Sequence, residues 1–147
     1  MNRILGVDFG QVRIGLAISD ELQMLAHPFE TVASNREAVA RIAEVVRQNK
    51  IECVVVGVPK LMSGKMGTAA DEACAFVEKL RAALDCKVCT WDERLTTVAA
   101  HRALREAGKK TRATRGYVDQ VAAQMILQGY LDQRAMAEGT DDLPESL

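Results

Sequence analysis

The chain has 147 residues, 48% of them hydrophobic and 27% charged, with a formal net charge of −1. Those proportions are ordinary for a globular protein, and the length suits one domain that buries roughly 70% of its unfolded surface. They exclude a uniformly basic nucleic-acid coat, and no apolar run approaches the roughly 20 residues that span a bilayer.

Met1-Asn2-Arg3 leads straight into an apolar run without a signal-peptide pattern, so a cytoplasmic location is expected. The run Ile4-Leu5-Gly6-Val7 ends at Asp8, and a second run, Ile14 to Ile18, follows a glycine-bearing connection. Two such runs predict a β-hairpin. Pro28 to Val32 predicts a third short strand. Asn35 can cap a helix from Arg36 to Asn49, with Val39, Ile42, Ala43 and Val46 on one face. Cys53-Val54-Val55-Val56-Gly57-Val58 is a continuous β-branched run, the mark of a central parallel strand buried on both faces. Lys60 to Gly67 reads as a loop, Thr68 to Leu84 as a helix and Cys86 to Trp91 as the next strand. Thr96 or Thr97 caps a helix reaching Ala107, which Gly108 stops. A basic loop, Lys109 to Gly116, precedes a last helix from Tyr117 to Arg134.

The order β-β-β-α-β-α-β-α-α predicts an α/β fold, in which hairpin strands and parallel strands share one mixed sheet with helices on both faces. There is no repeat or linker, so residues 1–134 read as one domain and 135–147 as an acidic, disordered tail.

The cysteines are Cys53, Cys74, Cys86 and Cys89. Cys86-Lys87-Val88-Cys89 has the spacing of a zinc half-site, but no second pair matches it and His27 and His101 stand alone. A structural zinc, which takes four ligands, is not expected. A disulfide framework is not expected either. Charge is unevenly spread. Arg102, Arg105, Lys109, Lys110, Arg112 and Arg115 are opposed only by Glu106, a stripe suited to phosphate contacts.

Three carboxylates stand where chemistry could occur. Asp8 ends the first strand, and Asp92 and Glu93 follow the strand that ends at Trp91. In open α/β sheets, ligands bind outside the carboxyl ends of the strands. Asp119 precedes Ala122, Ala123 and Ile126 by three, four and seven residues, so it belongs to the inward stripe of the last helix. A buried charge is costly unless paired or metal-bound. Asp8, the Asp92/Glu93 pair and Asp119 around one cleft suggest bound Mg²⁺ or Mn²⁺, which prefer oxygen ligands. Two such ions can activate water against a phosphodiester. Asp92 competes with Glu93 for this place, although successive residues point to opposite sides. Taken alone, these residues also leave open a non-catalytic nucleic-acid-binding module.

Four segments in order resemble the YqgF/RuvX family of RNase H-like nucleases. They are Gly6-Val7-Asp8-Phe9-Gly10 with Arg13 and Gly15; Val55-Val56-Gly57-Val58-Pro59 with Gly64; Trp91-Asp92-Glu93-Arg94-Leu95-Thr96-Thr97; and Val118-Asp119-Gln120-Val121-Ala122-Ala123 with Ile126 to Asp132. The resemblance spans about residues 3 to 132 and implies an RNase H-like fold with metal-dependent phosphodiester cleavage. It implies maturation of the 16S rRNA 5′ end as the role, with resolution of Holliday junctions in branched DNA as the alternative. Carried over by motif, Asp8, Glu93 and Asp119 form the catalytic and metal-binding set. Arg13, Arg94, Lys109, Lys110, Arg112 and Arg115 are the expected substrate contacts. The expected partner is nucleic acid, a structured rRNA precursor or branched DNA, bound by a monomer or homodimer. The chain departs from the pattern at Lys60-Leu61-Met62-Ser63, where many members place an Asn and an Asp. Related resolvases also carry an acidic residue on the strand that here ends in Gly57, and Glu93 on the neighbouring strand takes that role.

Overall fold

The computed structural model describes residues 2–61, 63–95 and 112–141, with side chains of the last segment from 117 to 137. Five strands form one sheet: β1 (Arg3–Asp8), β2 (Arg13–Ser19), β3 (Ala26–Ala33), β4 (Ile51–Val58) and β5 (Lys87–Asp92). Their order is β3-β2-β1-β4-β5. β1, β2 and β3 pair antiparallel, whereas β4 is parallel to both β1 and β5. The helices are α1 (Ala38–Gln48), α2 (Thr68–Ala83) and α3 (Arg112–Asp141), and a short 3₁₀ turn covers Glu93–Leu95.

Alternation along the strands sorts side chains into two cores. Leu5, Val7, Leu16, Val54 and Val56 face α1 and α2, where they meet Ile42, Val45, Phe76 and Leu80. Ile4, Ala17, Val55 and Trp91 face α3, where they meet Ala123, Ile126, Leu127 and Leu131. β4 is covered on both sides, which is why its run is apolar at successive positions and not at alternate ones. At Gly6 an added Cβ would lie 2.7 Å from Leu127 Cβ, so α3 lies almost on the β1 backbone.

Most element boundaries differ from the sequence reading by one or more residues, and those of β3, α1, β5 and α3 bear on the site or the packing. β3 runs through Pro28 from Ala26. It is an edge strand, and its register against β2 shifts between Leu16 and Ala17, a setting that tolerates a residue without an N–H. α1 starts at Ala38 because Asn35 makes a turn of its own: its Oδ1 accepts the Glu37 N–H at 2.9 Å and its carbonyl accepts the Ala38 N–H at 3.1 Å. β5 includes Asp92. α3 is longer at both ends than Tyr117 to Arg134, starting at Arg112 and reaching Asp141. Residues 135–141, expected to be disordered, are therefore helical, in keeping with the helix formers Ala135, Met136 and Ala137. The predicted helix ending at Ala107, together with Lys109 and Lys110, lies outside the described residues. Among the described residues no helix is long and apolar enough to cross a membrane.

Candidate active site

Besides Ser19, the buried polar side chains among the described residues are Asp8, Glu93 and Asp119, at 4%, 2% and 5% exposure. The strands bring all three to one end of the sheet on its α3 face. Asp8 pairs directly across from Gly15 on β2, so the two point to the same side. An added Cβ on Gly15 would lie 2.0 Å from the Asp119 carbonyl oxygen, which puts the first half of α3 against this spot. On the other flank of Asp8, the Val7–Val56 pairing places Gly57 beside it. An added Cβ on Gly57 would lie 2.8 Å from Glu93 Oε2 and 2.4 Å from Ile126 Cδ1. Gly57 pairs with Trp91, which faces α3, and Glu93 comes two residues later on the same side. Asp8 thus sits in the middle, with Asp119 over one neighbouring strand and Glu93 over the other. Neighbouring strands are roughly 4.8 Å apart, so the three carboxylates span about two strand spacings. The absent Cβ atoms of Gly15 and Gly57 provide the room they occupy.

Three buried like charges repel, and water is not there to screen them. Arg13 offsets part of that cost: its Nε donates to Asp119 Oδ2 at 2.6 Å, with the Arg13 side chain 31% exposed and that of Asp119 7%. Among the described residues no group of three or more His, Cys, Asp or Glu side chains is placed to hold a metal ion. The donors are nonetheless all carboxylate oxygens, the chemistry that Mg²⁺ and Mn²⁺ take and zinc does not favour. In chemistry, though not in their present spacing, the three residues fit a hard divalent cation.

Asp92 belongs to a different arrangement. Its two oxygens accept from Arg94 Nε at 3.1 and 3.0 Å and from Arg94 Nη2 at 2.6 Å, and Asp92 Oδ1 also accepts the Arg94 N–H at 3.0 Å. These bonds to Arg94 hold the Asp92 carboxyl below the ordinary carboxylate range. Gly64, in the left-handed region at φ +87°, brings the Lys60–Gly67 loop to Arg94: its Cβ position is 3.3 Å from Arg94 Nη1. Sequence reasoning missed this clamp because it links a loop to a strand end some thirty residues away. It also missed the Arg13–Asp119 pair, whose partners are 106 residues apart. Two of the four arginines expected to contact substrate, Arg13 and Arg94, are thus ion-paired inside the protein. Arg112 and Arg115 lie in the first turns of α3.

Cys89 turns toward Cys53 on the adjacent strand, Sγ to Sγ 3.5 Å, and all four thiols are free. Burial, with Cys89 alongside, pushes the Cys53 thiol up to about 12.

A family model described as "RuvX: Holliday junction resolvase" matches residues 2–133. A Nocardia farcinica protein named "Putative pre-16S rRNA nuclease" is 46% identical over 142 residues, covering 90% of this chain and 79% of its own. A protein of the same name from Acetivibrio thermocellus is 43% identical over 136 residues, covering 90% of this chain and 96% of its own. Among solved structures, T. thermophilus RuvC in complex with Holliday junction substrate matches with a TM-score of 0.56 at 17% identity, over 92% of this chain and 96% of that one. The mixed sheet with helices on both faces is accordingly the RNase H-like fold. On the family match and the level of identity to these relatives, the chain belongs to the RuvX family.

Proposed function

We propose that this chain is a nuclease that hydrolyses phosphodiester bonds with Mg²⁺ or Mn²⁺ held by Asp8, Glu93 and Asp119. The observation that carries the reading is the gathering of three buried carboxylates at one sheet end in a RuvX-family chain. When bound, the cations supply charge that activates a water and stabilises the leaving oxygen. Asp8, rigid at the end of β1 and flanked on both sides, would be the central ligand. Glu93, in the turn after β5, and Asp119, on α3, would complete the site. Arg13, paired with Asp119 here, would offer its guanidinium to a phosphate of the substrate. Arg94, with Lys109, Lys110, Arg112 and Arg115, lines up the backbone, contacts that carry no sequence information. Attack by water leaves a 3′-hydroxyl and a 5′-phosphate. Residues 1–134 form the catalytic domain.

The substrate we propose is the 5′ region of a 16S rRNA precursor, by similarity to relatives carrying that name. The description of the family model favours a second substrate, a branched DNA junction, which needs two sites and therefore a dimer. The test is cleavage of a precursor RNA and of a four-way DNA junction, side by side, with Mg²⁺, with Mn²⁺ and with a chelator. Metal-dependent cutting of the RNA by wild type and none by Asp8→Asn is expected. Cutting of the junction alone replaces the substrate, and no cutting of either by wild type defeats the nuclease reading.

A further inference from the structure

Two hollows lie on the other side of the sheet end from the carboxylates. One, of about 600 Å³, is floored by Phe9, Phe76 and Val39 and walled by Arg36, Ala75 and Lys79. The other, of about 320 Å³, reaches Gly10 and Pro59. Both hollows are lined by Phe9, Gln11 and Glu72, so together they form one groove. Its start is set by the chain itself. Gly10 and Pro59 lie just beyond the ends of β1 and β4, and Phe9 directly follows Asp8, roughly 3.8 Å away along the backbone. Asp8 faces α3, while Phe9 turns to α2 and stacks on Phe76 with ring centroids 4.7 Å apart. A strand leaving the carboxylates over the sheet end would enter this groove.

The groove's chemistry suits one kind of occupant. Its floor is aromatic and apolar, as base stacking needs, and its size is that of a small-molecule cleft. Arg36 and Lys79 are exposed and, among the described residues, form no ion pair, whereas Arg13, Arg41, Arg81 and Arg94 all do. The acidic group in the wall, Glu72, is tied down by Gln11, whose Nε2 donates to both its oxygens at 2.9 Å. We infer that this groove holds an unpaired nucleotide of the substrate strand, its base on the Phe9–Phe76–Val39 floor and its phosphate between Arg36 and Lys79. The inference rests on the nuclease reading and names the substrate feature next to the cut: a single-stranded flank.

Ala75 is the place to test it. It is exposed on α2 and lines the groove four residues before Lys79. Ala75→Glu keeps a good helix former, adds a favourable pair with Lys79 and puts negative charge at the phosphate position. Ala75→Arg adds similar bulk with the opposite charge. Binding is read by fluorescence anisotropy in chelator, using a labelled RNA duplex with a five-nucleotide unpaired overhang and the same duplex with blunt ends. Wild type should bind the overhang duplex about tenfold tighter than the blunt one, the lower range of stacking plus one phosphate contact. Ala75→Glu and Lys79→Glu should lose that advantage, and Ala75→Arg should retain it. The inference is overturned if wild type shows no preference for the overhang. Full preference in Ala75→Glu and Lys79→Glu, or an equal loss on the blunt duplex, overturns it too. Cleavage by wild type with Mg²⁺, run on both duplexes, tests the nuclease reading separately, because the binding arm needs no metal.

Discussion

The two faces of the sheet are built from the same strands and do different work. Toward α1 and α2 the strands present Leu5, Val7, Leu16, Val54 and Val56, an apolar surface without a buried charge. Toward α3 the same strands present Gly6, Gly15, Gly57 and Asp8, and the buried carboxylates gather there. A shift of one residue in strand parity would exchange the two surfaces. The difference shows how a fold can support a costly charge cluster: one face supplies packing, while the other gives up side-chain volume so that α3 and Glu93 come within reach of Asp8.

Substitutions on the two faces should therefore separate activity from stability. Asp8→Asn should lower cleavage by more than about 100-fold, the upper range for outer-shell partners of a metal, with the fold intact by circular dichroism. Leu80→Ala, fully buried on the other face, should cost roughly 2–5 kcal/mol in denaturant unfolding and leave cleavage per folded molecule unchanged. The comparison breaks if Leu80→Ala silences cleavage while folded, or if Asp8→Asn chiefly unfolds the protein.

Arg13→Ala should give an intermediate effect. Removing one partner of a buried pair leaves a charge uncompensated, and the partial exposure of Arg13 keeps the loss to about 1–3 kcal/mol without metal. Added Mg²⁺ should restore more stability to this variant than to wild type, since Asp119 is already released. Equal restoration would show that Arg13 and cation do not compete. The smallest effect should come from the Glu30–Arg41 pair, which ties β3 to α1 through bonds of 2.8 and 2.6 Å. Arg41 lowers the Glu30 carboxyl below its unfolded value. Its contribution is therefore complete above the ordinary carboxylate range and lost as pH falls through the depressed folded value. Thermal melting of wild type and Glu30→Gln should differ near neutrality and converge in acid. A gap that persists at low pH would assign the difference to packing.

Much of the fold was legible because its strongest signals are periodic. The apolar run of β4, the glycine-bearing hairpin and the inward spacing of Asp119 each follow from chain geometry within a few residues. Parity alone left Asp92 beside Glu93 as a candidate, and in the structure Asp92 pairs with Arg94. The contacts between distant residues were not legible: Arg13 with Asp119, Gln11 with Glu72 and Gly64 with Arg94 have no local signature. The ends of α3 were misread because Gly116 and the charged residues around it look like a loop, whereas packing of the apolar face onto the sheet supports a helix through them.

The account turns on whether Asp8, Glu93 and Asp119 act as one cation site. Thermal unfolding with and without Mn²⁺, for wild type, Asp8→Asn and Glu93→Gln, tests this directly. A cation bound only by the folded state at about 100 times its dissociation constant adds roughly 2.7 kcal/mol. Wild type should gain that stability and both variants should lose most of the gain. No shift in wild type, or the same shift in all three proteins, would contradict the account.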